Sequence, residues 1–317
     1  MKRFISITVS MIILSIIYSK IDLQALADIF LNSHRFWMPV SLAMVIPITL
    51  FTAWRLQQLM PKSTYLGFWE ANRLILAASV LNMVLPSKMG DIAKAYFMRE
   101  RGHLSGSLSL SLVVFEKSCD LLSLLLWCVF GLFLYPQKDV IFLTMTLGVT
   151  TGLIIGILIL ISRNFADFFF LILEKITPQT IGKKIENLQV SWAAMHEHFW
   201  SDKRQLIKIS ATSIFIWFLH LLQIWFFILA LNAWVPFITN LALSPLAILA
   251  GLMPLTFAGV GTRDAALVIF YEPYFNATVA AGLGLLCTAR YFLPAVGGLP
   301  FLSQYLTTVR NLKQSDI

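Results

Sequence analysis

Val140–Ile161 reads VIFLTMTLGVTTGLIIGILILI, without a charged side chain from end to end. About 20 such residues in a helix cross the roughly 30 Å hydrocarbon layer of a bilayer. The apolar run is unbroken and does not alternate with period two, so it selects a spanning helix over a barrel strand. The same reading extends to the whole chain. Hydrophobic residues make up 58% of the 317 residues and charged residues only 13%, against about a quarter charged in an ordinary soluble domain. So few charges cannot cover a water-facing surface of this size. The fold expected is all-α, a polytopic transmembrane helix bundle.

On the N-terminal side of this span, Ser107–Leu134 is a long apolar helix that carries Glu116, Lys117 and Asp120. Before it, Leu66–Leu85 is interrupted by Glu70, Asn72, Arg73 and Asn82 and ends at Pro86, which stops a helix at the preceding residue. Phe36–Trp54 is a further span. Phe4–Ser19 has the basic start and apolar body of a leader without a small-x-small cleavage site, so it reads as a retained first helix. On the C-terminal side, Arg163–Lys208 is the only long polar segment, and its His196-Glu197-His198 reads as solvated. Ile209–Leu231 carries His220 and Gln223; Leu241–Phe257, Ala265–Tyr271, Ala277–Tyr291 and a patch reaching Leu306 complete the apolar pieces. The chain reads as one domain over residues 1–317. Its possible halves, 1–162 and 209–310, are joined by residues 163–208.

Lys and Arg fix the expected orientation. They precede the first span, follow the second and third, fill Arg163–Lys208 and return at Arg310 and Lys313, whereas Tyr135–Asp139 and Asn232–Asn240 carry one Lys or none. Both termini and the long polar segment are therefore expected in the cytoplasm, and Leu66–Leu85 must enter and leave on one side as a re-entrant segment. The net charge of +8 belongs to this loop bias. Basic residues do not cluster with interleaved aromatics, so no nucleic-acid partner is expected. Cys119, Cys128 and Cys287 lie in apolar runs and read as small buried hydrophobes.

Three constellations could carry chemistry. In Pro86-Ser87-Lys88-Met89-Gly90-Asp91, proline ends one helix, glycine frees the backbone, and Asp91 opens an amphipathic helix to Arg101. A helix start with Lys88 beside it suits a phosphate; equally, Asp91 can simply cap its own helix. Glu116 and Asp120 are one helical turn apart, and Lys117 can reach Asp120. Each such charge costs about 3 kcal/mol at mid-membrane, so the group must face protein or a wet cavity, as a polar knot or as the lining of a path. Pro254 to Asp264 repeats the first design, with Gly259 and Gly261 followed by Arg263 and Asp264. Broken apolar segments in two halves of a chain point to a transporter's binding site and to a possible inverted repeat. No hydrolase motif, metal-ligand set or cofactor fingerprint accompanies them, so no enzymatic activity, metal or cofactor is expected.

Asn82 to Tyr96, with Glu116-Lys117-x-x-Asp120, resembles the first signature of the lysylphosphatidylglycerol synthase transmembrane family; Pro254–Ala266 and Arg290 resemble its second. The resemblance spans roughly residues 1–306. It implies a flippase-like bundle with broken or re-entrant segments, about eight spans in all. Relatives move aminoacylated phosphatidylglycerol across the cytoplasmic membrane, or act on lipid-linked sugars beside glycosyltransferases. The sequence departs from the pattern where Asp91 and Asp264 stand for Glu, and where Lys117 stands for Arg and forfeits a bidentate clamp. The aminoacyl-transferase domain of bifunctional relatives is not expected, and with it not the synthesis of the lysyl-lipid. The resemblance implies a lipid translocator. Lys88, Arg263 and Arg290 would meet phosphate; Asp91, Glu116, Asp120 and Asp264 would meet cationic headgroup parts or couple protons. The alternatives are a membrane adaptor for a glycosyltransferase or lipid-modifying enzyme and, more remotely, a membrane-embedded transferase.

Overall fold

The computed structural model describes residues 23–61, 66–84, 89–102, 104, 106–135, 140–177, 202–252 and 260–315, with residues 11 and 15 and short stretches between 185 and 200. Among these the chain is helical and no strand occurs. The helices are α1 (Leu23–Leu31), α2 (Trp37–Ala43), α3 (Val45–Leu59), α4 (Phe68–Val84), α5 (Met89–Gly102), α6 (Gly106–Leu134) and α7 (Val140–Ile161). There follow α8 (Arg163–Ile176), α9 (Lys203–Ala230), α10 (Phe237–Leu252), α11 (Thr262–Tyr271), α12 (Ala277–Ala289) and α13 (Phe292–Ser315). Of the expected first span, Phe4–Ser19, all but residues 11 and 15 lies outside the described residues.

Among the described residues, five stretches are long and apolar enough to cross a membrane: Trp37–Leu59, Leu108–Leu134, Phe142–Ile161, Lys203–Ala230 and Ala277–Tyr305. Two of them contain a break, and proline causes both. A proline cannot donate to the carbonyl four residues before it. Pro47 leaves Ala43 without its helical partner, and α2 gives way to α3 at Met44. Pro294 does the same to Arg290, and α12 gives way to α13 at Arg290–Tyr291. Hydroxyls inside the spans bond back to their own helix, as Thr144 does to the Val140 carbonyl (2.8 Å) and Ser213 to that of Ile209 (3.0 Å). Large apolar side chains face outward on α6 and α7, among them Phe133, Leu143, Leu147 and Ile154. So broad an apolar surface requires lipid, and the protein is an integral membrane protein.

The chain forms two compact units. The first comprises 1–48, 124–150 and 217–293, the second 49–123, 151–216 and 294–317. Each draws residues from both sequence halves. In the first unit α11 packs on α10 and α12, and α12 also on α1. Gly131 lies so close to the Ala242 carbonyl that a Cβ there would overlap it. In the second, α4 and α5 pack as a pair, with Gly90 against the Ala78 carbonyl and, for a notional Cβ, 2.7 Å from the Asn82 nitrogen. The core of this unit gathers Leu56, Leu74, Phe97, Met98, Leu112 and Phe115, and the Phe115 and Phe199 rings stack at 4.0 Å.

The polar segment differs from expectation. Its first third is the helix α8, started by Ser162, whose hydroxyl accepts from the Phe165 amide (3.3 Å), and its last residues begin α9. His196 is not merely solvated: its Nε2 donates to the Ile161 carbonyl at 3.3 Å. The reason is the end of α7, whose last carbonyls have no helical donor.

Candidate functional site

Among the described residues, each unit holds one centre of buried charge. In the second unit the centre is built on α3, α5, α6 and α9. Arg55 is 2% exposed and Glu116 1%. The Arg55 guanidinium forks across two carboxylates. Nη2 donates to Glu116 Oε1 (2.8 Å) and to Asp120 Oδ2 (3.3 Å); Nη1 donates to Asp120 Oδ1 and to the Ser213 hydroxyl (2.9 Å). The second oxygen of Glu116 takes the ammonium of Lys94, itself 2% exposed. Lys117 is half-exposed and pairs with Asp91 at 3.2 Å and more loosely with Asp120 at 3.9 Å. Three cations, Arg55, Lys94 and Lys117, thus meet three carboxylates, Asp91, Glu116 and Asp120. The centre is neutral and its carboxylates are closely hydrogen-bonded, as buried ions require; of the Arg55 nitrogens, Nε alone is buried without a partner.

Sequence reasoning found the carboxylates and Lys117 but missed how they are held. It placed Arg55 in a loop after the second span. The signal to the contrary was local: from Phe51 to Leu59 nothing breaks a helix, so α3 continues past Arg55 and turns it inward. Lys94 stands one turn after Asp91 on α5 and was counted only as loop charge. The bidentate clamp forfeited at position 117 is supplied by Arg55 from another helix.

The first unit's centre is built on α11 and α12. Gly261 has φ 105°, a left-handed conformation that a side chain resists, and it turns the chain into α11. Its amide donates to Asp264 Oδ2 (2.9 Å), which caps the helix. The other oxygen, Oδ1, receives Arg263 through Nε (3.1 Å) and Nη2 (2.7 Å). The same Nη2 reaches the Gly284 carbonyl (2.9 Å) and the Thr288 hydroxyl (2.7 Å). Gly284 is bare for a reason: a Cβ there would lie 2.6 Å from Asp264 Oδ1. Arg263 Nε and Nη2 and both oxygens of Asp264 are therefore engaged, with each other, with the Gly261 amide and with α12.

Arg290 is not. It caps the C-terminus of α12 and is 5% exposed. Nη2 donates to the Tyr291 hydroxyl (3.2 Å), and the guanidinium lies 5.1 Å from that ring. Nε and Nη1 are buried without a hydrogen-bond partner. No carboxylate pairs with Arg290 among the described residues. Among the described residues of α11 and α12 and the cap between α12 and α13, two cations, Arg263 and Arg290, thus stand to one carboxylate, and the two buried nitrogens without a partner belong to Arg290. A local design recurs between the centres. Asp91 is the third residue of α5 and Asp264 the third of α11, and each is paired with a cation. Pro86, Lys88, Pro254 and Gly259 lie outside the described residues.

Two comparisons bear on this arrangement. The family described as lysylphosphatidylglycerol synthase TM region matches residues 3–298. A UPF0104 membrane protein of Methanocaldococcus jannaschii is similar at 22% identity over 316 aligned residues, covering 94% of this chain and 93% of its own.

Proposed function

The chain belongs to the lysylphosphatidylglycerol synthase transmembrane family, and on that premise we propose that it is a translocator moving a phospholipid or lipid-linked headgroup across the cytoplasmic membrane. The observation that carries the reading is Arg290. A guanidinium withdrawn from water with two N–H-bearing nitrogens unpaired is costly to maintain. It is the state expected of a binding group whose partner comes from outside the chain. Planar paired donors suit the oxygens of a phosphate, which a phospholipid and a lipid-linked sugar share. Arg263 shapes this site rather than competing for the headgroup, because Asp264, Gly284 and Thr288 occupy it. Lys88 is assigned to phosphate as well, and the acyl tails stay in lipid. The other centre, neutral and locked, serves as the framework through which α3, α5, α6 and α9 hold together. Carriage of this kind asks for no nucleophile, cofactor or metal. From the distribution of Lys and Arg we place both termini and residues 163–208 on the cytoplasmic side.

The test is lipid translocation by the purified chain in vesicles, read by reduction of a headgroup-labelled phospholipid from outside. Arg290→Gln should insert and fold normally yet translocate at least about tenfold more slowly, each factor of ten being about 1.4 kcal/mol of lost interaction. Arg290→Lys should recover part of the rate, since it restores the charge without the fork. An Arg290→Gln protein that works at the parental rate would sink the translocator reading and favour a membrane adaptor for a glycosyltransferase or lipid-modifying enzyme.

A further inference from the structure

We propose that α8 is an interfacial anchor, lying in the headgroup layer with Phe168 and Ile172 in lipid and Arg163 and Lys175 against anionic headgroups. The inference requires only that the protein is embedded in a membrane; it does not depend on what the protein carries. It starts from the way α8 divides its surface. One side packs on its own unit: Ala166 is 1% exposed, and the Phe170 ring lies 6.3 Å from that of Trp192. A second side is polar, with Arg163 and Glu174 exposed and Asp167 accepting from Gln189 (3.0 Å). The third side is apolar and uncovered. Phe168 is 59% exposed and Ile172 37%, and four residues apart they share a face. A helix in water needs two faces, one for the core and one for solvent. A third, apolar face is the mark of a helix at a membrane surface.

The position of α8 relative to the span before it supplies the depth. Only Ser162 separates it from α7, whose 22 residues cover about 33 Å at 1.5 Å each and so consume the hydrocarbon thickness. Three side chains close the end of α7. Trp192 Nε1 donates to the Ile159 carbonyl (3.2 Å), Trp200 Nε1 to that of Leu160 (3.0 Å), and His196 to that of Ile161. Indoles at the end of a span mark the membrane–water boundary. The uncovered face of α8 thus continues the lipid-facing surface of α7 at that boundary. Arg163 and Lys175 are exposed near the two ends of the helix, and such cations favour an anionic leaflet.

The experiment uses the full chain in nanodiscs, with a nitroxide placed in turn by Phe168→Cys, Ile172→Cys and Glu174→Cys. The parent, whose three cysteines are buried, is the labelling blank. In phosphatidylglycerol–phosphatidylcholine discs, oxygen should reach 168 and 172 in preference to a water-soluble nickel chelate, at a depth of roughly 5–10 Å. The preference should invert at 174. Replacing phosphatidylglycerol by phosphatidylcholine should draw 168 and 172 shallower, and Arg163→Gln with Lys175→Gln should abolish that lipid dependence. Chelate reaching 168 and 172 as freely as 174 would put the face in water. Exclusion of both reagents would put another protein over it. Either result overturns the anchor, and a depth indifferent to phosphatidylglycerol overturns its selectivity for anionic lipid.

Discussion

The two charged centres contain the same kinds of residue and are finished differently. In one, each carboxylate has a cation and the guanidinium of Arg55 is shared between Glu116 and Asp120. In the other, Arg263 and Asp264 satisfy one another and Arg290 is left over. The difference is one of charge pairing: the Arg55 guanidinium leaves only Nε without a partner and forks across two carboxylates, while Arg290 leaves Nε and Nη1 without partners and has no carboxylate beside it among the described residues. Paired charges hold helices together, and on the proposed reading an unpaired guanidinium has something left to bind.

Substitutions sharpen this contrast, in descending order of effect on stability. Arg55→Ala takes the guanidinium from Asp120 and leaves Glu116 with Lys94 alone, and the loss of a buried partner costs about 3–5 kcal/mol; thermal unfolding in detergent should show a large drop in melting temperature or no folded protein. Gly284→Ala drives a methyl toward Asp264 Oδ1, 2.6 Å from the new carbon. Overpacking of this kind costs about 1–3 kcal/mol, and the melting temperature should fall by a smaller, measurable step. Lys117→Ala removes a half-exposed cation whose pairs with Asp91 and Asp120 lie at 3.2 and 3.9 Å, and it should cost no more than about 1 kcal/mol. Arg290→Gln should leave the melting temperature unchanged or raise it, because it removes a buried charge that nothing compensates. If Arg290→Gln destabilised the chain as Arg55→Ala does, the two centres would be alike and the distinction would collapse.

Much of the fold was legible in the sequence because a bilayer imposes one rule, long apolar helices, and Val140–Ile161 and Ser107–Leu134 obey it plainly. The helix α8 was not legible as structure: Arg163, Asp167, Glu174 and Lys175 made it look like part of a loop, while its phenylalanines serve three environments at once. The expected span Phe36–Trp54 runs unbroken through Pro47, yet Pro47, like Pro294, interrupts a stretch that otherwise continues. At the site, Asp91, Glu116, Lys117, Asp120, Arg263, Asp264 and Arg290 were all visible as unusual residues in apolar surroundings. The local pair Lys117–Asp120 was readable from its spacing, but distant partners were not, since a salt bridge between Arg55 and Glu116 joins residues 61 positions apart. Nor could the sequence indicate that Arg290 has no carboxylate partner among the described residues, because that depends on every neighbour at once.

The missing counter-charge at Arg290 also makes the membrane voltage relevant to this protein. A unit charge crossing the full field exchanges about 2.3 kcal/mol with it for every 100 mV. The closed centre carries no net charge and exerts no such coupling. Arg290 with nothing bound is a lone positive charge, whereas Arg290 holding a singly charged phosphate is neutral. If the chain translocates a phosphate-bearing lipid as proposed, whatever fraction of the field falls across α12 would act on the empty site and be silent on the loaded one. Membrane potential would then bias the return of the empty site, setting the turnover of the cycle without pulling on the cargo itself.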